Sequence, residues 1–189
     1  MSRFLEISHS SRGACRVGTK ALVVGFFNDD RPLRGAVGMV DWRLNGYVSR
    51  LLEAQRLSGD STESTLVASS GRLGADFALL VGLGQRAHYG YERITDITSS
   101  ATMTLQKLHV EEFALEVPGA RLMGLDPAES VYNAVKGIVK ILSASAPETA
   151  RMRAVFLEPD DVSARLRFGL RKAQSNFQGR VQIALAGTA

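Results

Sequence analysis

Eight residues, Phe77 to Gly84 (FALLVGLG), constrain the fold of this chain more than any other stretch. The run does not alternate and is closed by two glycines, so it reads as a strand buried on both faces that delivers its end into a tight turn. Ala21 to Phe27 (ALVVGFF) has the same character and is expected to be a central strand. Strands of this kind, each followed by an amphipathic helix, pack as a layered α/β domain. With 189 residues, 45% of them hydrophobic, the chain encloses one sizeable core and is too short for two ordinary domains, so residues 1–189 are expected to form one domain.

The other elements follow from pattern and punctuation. Phe4 to Ser8 is expected as an edge strand, followed by a polar surface loop. Asn28 to Pro32 turns the chain, and Asp41 is placed to cap a helix beginning at Trp42, whose inner side carries Leu44, Val48, Leu51 and Leu52. TLVASS is expected to form a hairpin with the following FALLVGLG. A helix from about Glu92 to His109 is rich in Thr and Ser, residues that weaken intrinsic helicity, so it should depend on burial. Glu112 to Val117 is a further strand. Asp126, Pro127 and Glu129 supply an N-cap, a first-turn proline and a reciprocal acid for a helix that stops near Pro147. The stretch RAVFLEP is expected as a strand, Asp160 and Asp161 begin a helix with Val162, Leu166, Leu170 and Ala173 inward, and Arg180 to Ala186 returns to the sheet.

Charge and cysteine content narrow the setting. The formal charge is +4 and arginine supplies most of the basic residues, which permits an anionic partner but equally describes a solvated surface. The single cysteine, Cys15, cannot form an internal disulfide. No signal-peptide core and no membrane-length apolar run is present, so a cytoplasmic location without membrane association is expected.

The ordered set of ALVVGFF, the small-residue segment to Asp41, Leu44-Asn45-Gly46, Gly59 with Glu63 ahead of a strand, ALLVGLGQ, and AESVYNAVKGIVKIL with its central Gly137 resembles the N-terminal domain of the leucyl aminopeptidase family, peptidase family M17. The resemblance runs from about Ala21 to Ala173. It implies a three-layer α/β fold, with a mixed central β-sheet flanked by helices on both faces, similar to the macro domain. In that family the metal ions and the catalytic Lys and Arg lie in a C-terminal domain marked by an NTDAEGR phrase, which this sequence lacks, so no catalytic residue, metal ligand or cofactor is carried over. Phe177, Gln178 and Gly179, followed by a closing strand, replace the helix that would lead into the catalytic half, which suggests a self-contained protein. Full-length relatives are hexamers and some bacterial members bind DNA, so self-association and nucleic-acid binding follow as expectations from the resemblance.

The residues themselves offer two candidate sites. Gly82 and Gly84 follow a buried strand, and Gly35, Gly38 and Asp41 lie where a macro domain has its nucleotide loop; ligands collect at strand C-terminal ends in open α/β sheets. The G-x-G-x-x-G spacing is not met, since the next glycine is Gly90. Arg165, Arg167, Arg171 and Lys172 put positive charge on the last helix, with 167 and 171 on one face and 165 and 172 on another. His9, His88 and His109 lack metal-ligand spacing. The adjacent acids Asp29 with Asp30, Glu111 with Glu112, and Asp160 with Asp161 diverge or cap rather than form an acid and base couple. Cys15 has no base or orienting group placed for it. Three functions remain: an interaction or regulatory module binding itself or another protein, a macro-like nucleotide or ADP-ribose binder, and a DNA-binding module.

Overall fold

A computed structural model describes residues 3–61, 63–145 and 149–188. In chain order the elements are β1 (Phe4–Ser10), β2 (Ala21–Phe26), α1 (Gly35–Arg43), α2 (Tyr47–Glu53), β3 (Ser64–Ala68), β4 (Phe77–Gly82), α3 (Tyr91–Lys107), β5 (Glu112–Leu115), α4 (Pro127–Ser145), β6 (Arg151–Leu157), α5 (Ser163–Phe177) and β7 (Gln182–Thr188). The strands form one sheet in the order β3-β4-β2-β5-β6-β1-β7. Among the described residues only the β3–β4 hairpin is antiparallel; the other pairings are parallel.

Unbroken apolar runs became interior strands because both of their faces are covered. From β2, Ala21 and Val23 enter one core while Leu22, Val24 and Phe26 enter the other. The first core lies under α3, α4 and α5, and the second under α1, α2 and the Cys15–Val17 segment. The second cover is the smaller. Where it ends, Glu6, Arg153 and Glu112 stand opposite one another on β1, β6 and β5, with Arg153 3.2 Å from Glu6 and 3.4 Å from Glu112.

Helix α4 packs between α3 and α5. Thr95, Thr98, Ser99 and Thr102 are buried on α3, and three of their hydroxyls donate back one turn, from Thr98 to Ile94, Ser99 to Thr95 and Thr102 to Thr98. Small side chains and internally bonded hydroxyls let the helices approach until a Cβ on Gly137 would lie 2.0 Å from Thr98 Oγ1. The dependence of α3 on burial is thus met by direct contact with α4.

Several boundaries differ from expectation. β1 is interior rather than an edge, lying between β6 and β7. The helix expected from Trp42 starts at Gly35, and Asp41 is not its N-cap but lies in its last turn. Ser49 donates to the Asp41 carboxylate from its amide (3.0 Å) and its hydroxyl (2.5 Å), joining α1 to α2. Asp126 caps α4 as expected, accepting from the amides of Ala128 and Glu129. Glu129 does not return the bond; it pairs with Lys172, while the Asp126 amide donates to the Tyr91 hydroxyl. The expected helix stop near Pro147 lies outside the described residues.

Candidate functional site at the sheet's C-terminal edge

Parallel strands deliver their C-terminal ends to one edge, so the loops after β2, β4, β5 and β6 gather there. Gly82 and Gly84 reach this edge with their amides already engaged: Gly82 donates to the carbonyl of Glu63 (2.9 Å) and Gly84 to that of Gly59 (2.8 Å). The intervening Leu83 amide donates to Phe26 (2.9 Å). A Cβ at Gly82 would meet the Asp60 carbonyl at 2.0 Å. The two glycines therefore admit the 58–63 loop, which the Glu63 carboxylate fastens by accepting from the amides of Ser58 and Gly59. The other three candidates lie on α1. Gly35, at a positive φ of 66°, starts it, Gly38 packs against the Leu33 carbonyl, and Asp41 is committed to Ser49.

Between the ends of β2 and β5, Gly25, Gly35 and Gly119 line a recess of only about 10 Å³. Leu83 and Pro118 pack against Gly25, Leu122 against Gly35, and Tyr89 and Phe27 against Gly119. The Tyr89 hydroxyl donates to the Pro118 carbonyl, and burial raises its pKa well above the usual phenol range. A carboxylate from the chain itself lies by the α1 N-terminus, where the Ala36 amide favours the ionised form of Glu116, the residue after β5.

The adjacent strand β6 ends the same way. Glu158 follows Leu157 as Glu116 follows Leu115, and the two strands pair in parallel with Leu115 opposite Phe156. Both carboxyl groups are half-buried. Burial raises the Glu116 pKa, opposed by Arg121 and by the Ala36 amide. Glu158 is pushed up to about 7, first by burial and then by the negative charge of Glu116, while the Val117 amide and Arg121 act the other way. This acid pair with an opposing guanidinium was missed from the sequence. Its trace there is the repeated Leu-Glu at the end of two apolar strands, LEVP and LEP, which has meaning only once β5 and β6 are known to be neighbours. Among the described residues no group of three or more His, Cys, Asp or Glu is placed to hold a metal ion.

A family model for the N-terminal domain of the cytosol aminopeptidase family matches residues 23–142, more than half of the chain. The chain belongs to that family. A probable cytosol aminopeptidase of Geobacter sp. (strain M21) is 34% identical over 115 residues, covering 60% of this chain and 23% of the relative. One from Bacillus subtilis (strain 168) is 23% identical over 168 residues, covering 85% and 33% respectively. The chain thus spans a third or less of the length of these curated relatives. Solved structures agree on the fold. A tomato leucine aminopeptidase mutant superposes with a TM-score of 0.65 at 14% identity, covering 95% of this chain and 38% of that one. The Oceanobacillus iheyensis macrodomain superposes with a TM-score of 0.68 at 12% identity, covering 90% and 92%. A Trypanosoma brucei macrodomain in complex with ADP-ribose gives 0.65 at 14%, covering 85% and 67%.

Two surfaces of this cytosol aminopeptidase N-terminal domain remain. On α5 the basic residues divide as their spacing implied: Arg165 pairs with Asp126, the N-cap of α4, and Lys172 with Glu129 (2.7 Å) in its first turn. Arg167 and Arg171 face solvent on the other side, so the four do not form one stripe. On α1 and α2, Met39, Trp42 and Tyr47 are 53%, 70% and 43% exposed. Arg50 lies 5.8 Å from the centre of the Tyr47 ring, and Arg43 is exposed beside Trp42. No helix among the described residues is long and apolar enough to cross a membrane.

Proposed function

We propose that this domain works by binding a protein partner through the outer face of α1 and α2. The observation that carries the proposal is Trp42, a large aromatic left 70% exposed. Met39 lies one turn before it, on the same helix face. Trp, Tyr and Arg are the residues most enriched where interface energy is concentrated, and this face carries Trp42, Tyr47, Arg43 and Arg50. Its basic rim, on a chain of net charge +4, opposes a second copy and favours a partner with an acidic surface. We place this role in the cytoplasm, a setting supported by the lone thiol of Cys15.

Photo-crosslinking from position 43 in extract of the native host, read beside light scattering of the purified protein, tests the proposal. The expected result is a monomer that crosslinks to an acidic protein, with capture lost in Trp42→Ala and weakened by salt. Equal capture by wild type and Trp42→Ala would refute it. A dimer abolished by Trp42→Ala would replace the acidic partner with a second copy.

A nucleotide in the C-terminal-edge crevice is the reading that the macrodomain-like fold favours. For this chain it requires Glu116 to leave the Ala36 amide and Leu122 to leave Gly35, so we rank it second.

A further inference from the structure

Beside Glu158 lies a cavity of about 210 Å³. Its walls include Arg121 and Leu125 from the β5–α4 connection, Pro127 and Ser130 from the first turn of α4, and Glu158 and Asp161 after β6. Ser130 is 1% exposed, and its hydroxyl oxygen has no hydrogen-bond partner. Leaving a buried hydroxyl unpaired is costly, so such a group needs a reason. The α4 N-terminus does not ask for an anion here, because the Asp126 carboxylate already accepts from Ala128 and Glu129. The local charge points the same way: the negative charges of Glu116 and Asp161 both act on Glu158, against the single guanidinium of Arg121.

We propose that this cavity binds the ammonium group of a small primary amine, with Glu158, Asp161 and the Ser130 hydroxyl oxygen accepting its three N–H bonds. An ammonium group has three donors and no acceptor, which suits a wall of acceptors. It also offsets the repulsion between Glu158 and Glu116, so binding strengthens as Glu158 ionises near pH 7. Arg121, in the same wall, would pair with the carboxylate of an amino acid and has no such task for a simple alkylamine.

The test is titration of ethylamine, alanine and tetramethylammonium into isotope-labelled protein, followed through the backbone resonances around Ser130 and Glu158. Ethylamine and alanine are expected to give saturable shifts at about pH 8 that weaken about tenfold by about pH 5.5. Tetramethylammonium, which has no N–H, should give none. Tighter binding of alanine than of ethylamine assigns the site to amino acids; equal binding assigns it to simple amines. Glu158→Gln should weaken binding by about tenfold and Ser130→Ala by several-fold, since each removes one acceptor. Should Glu158→Gln fail to fold, Ser130→Ala carries the test, and Trp42→Ala should bind amines as wild type does. The proposal falls if neither amine gives a saturable shift, if tetramethylammonium shifts the same resonances, or if Glu158→Gln and Ser130→Ala bind as tightly as the parent.

Discussion

Glu158 links folding to proton binding. In the folded chain it takes up its proton at about 7, against 4.5 for the ordinary carboxyl group. The folded state therefore binds more protons than the unfolded state between those values, and stability is lost as pH rises from 4.5 towards 7 and stays lost above it. The shift amounts to roughly 3 kcal/mol before solvent screening reduces it. Glu158→Gln, which keeps the size and removes the charge, should raise stability at about pH 8 by roughly 1–3 kcal/mol and leave it little changed at about pH 4. Urea denaturation at both pH values measures this, and equal stability of parent and variant at the higher pH would show that the carboxylate is better solvated than its surroundings imply. Neither glutamate was marked out by sequence. The acids considered there were neighbours along the chain, whereas Glu116 and Glu158 meet only because β5 and β6 are adjacent in the sheet.

At the level of elements, the tightest contact joins α3 to α4. A methyl group on Gly137 would stand 2.0 Å from Thr98 Oγ1 and 2.5 Å from the Thr95 carbonyl. The second contact is with backbone and cannot be relieved by a rotamer change. Gly137→Ala should therefore destabilise by about 2–4 kcal/mol despite the better helix propensity of alanine, because two helices must separate. A thermal melt checks it, and pairing with Thr98→Ala should recover only part of the loss. Helix α4 was legible because Asp126 and Pro127 declare its start in local chemistry. The start of α1 was not: Arg34 precedes it with no side-chain cap, and Gly35 and Gly38 suggest a loop. Those glycines answer to Leu122 and the Leu33 carbonyl, contacts that local pattern does not record.

At the level of the whole molecule, the likeness to macrodomains and to the aminopeptidase N-terminal domain describes the course of the backbone, at 12–14% identity. The sheet and its covering helices were readable from apolar runs and helical spacing, and the order of motifs pointed to the family. In the crevice Glu116 lies by the α1 N-terminus, where an anionic ligand would bring a second negative charge. ADP-ribose titrated calorimetrically into the protein should accordingly give no binding heat. A clear exotherm would show that the loop after β5 opens, and would promote the nucleotide reading above protein docking.

The place of β1 has a consequence for how the protein is made. Its seven residues are synthesised well ahead of the strands they bond, β6 on one side and β7 on the other, both drawn from residues 151–188. A nascent chain must keep Phe4–Ser10 unpaired until β6 and β7 have been made, so the sheet closes through contacts far apart in sequence.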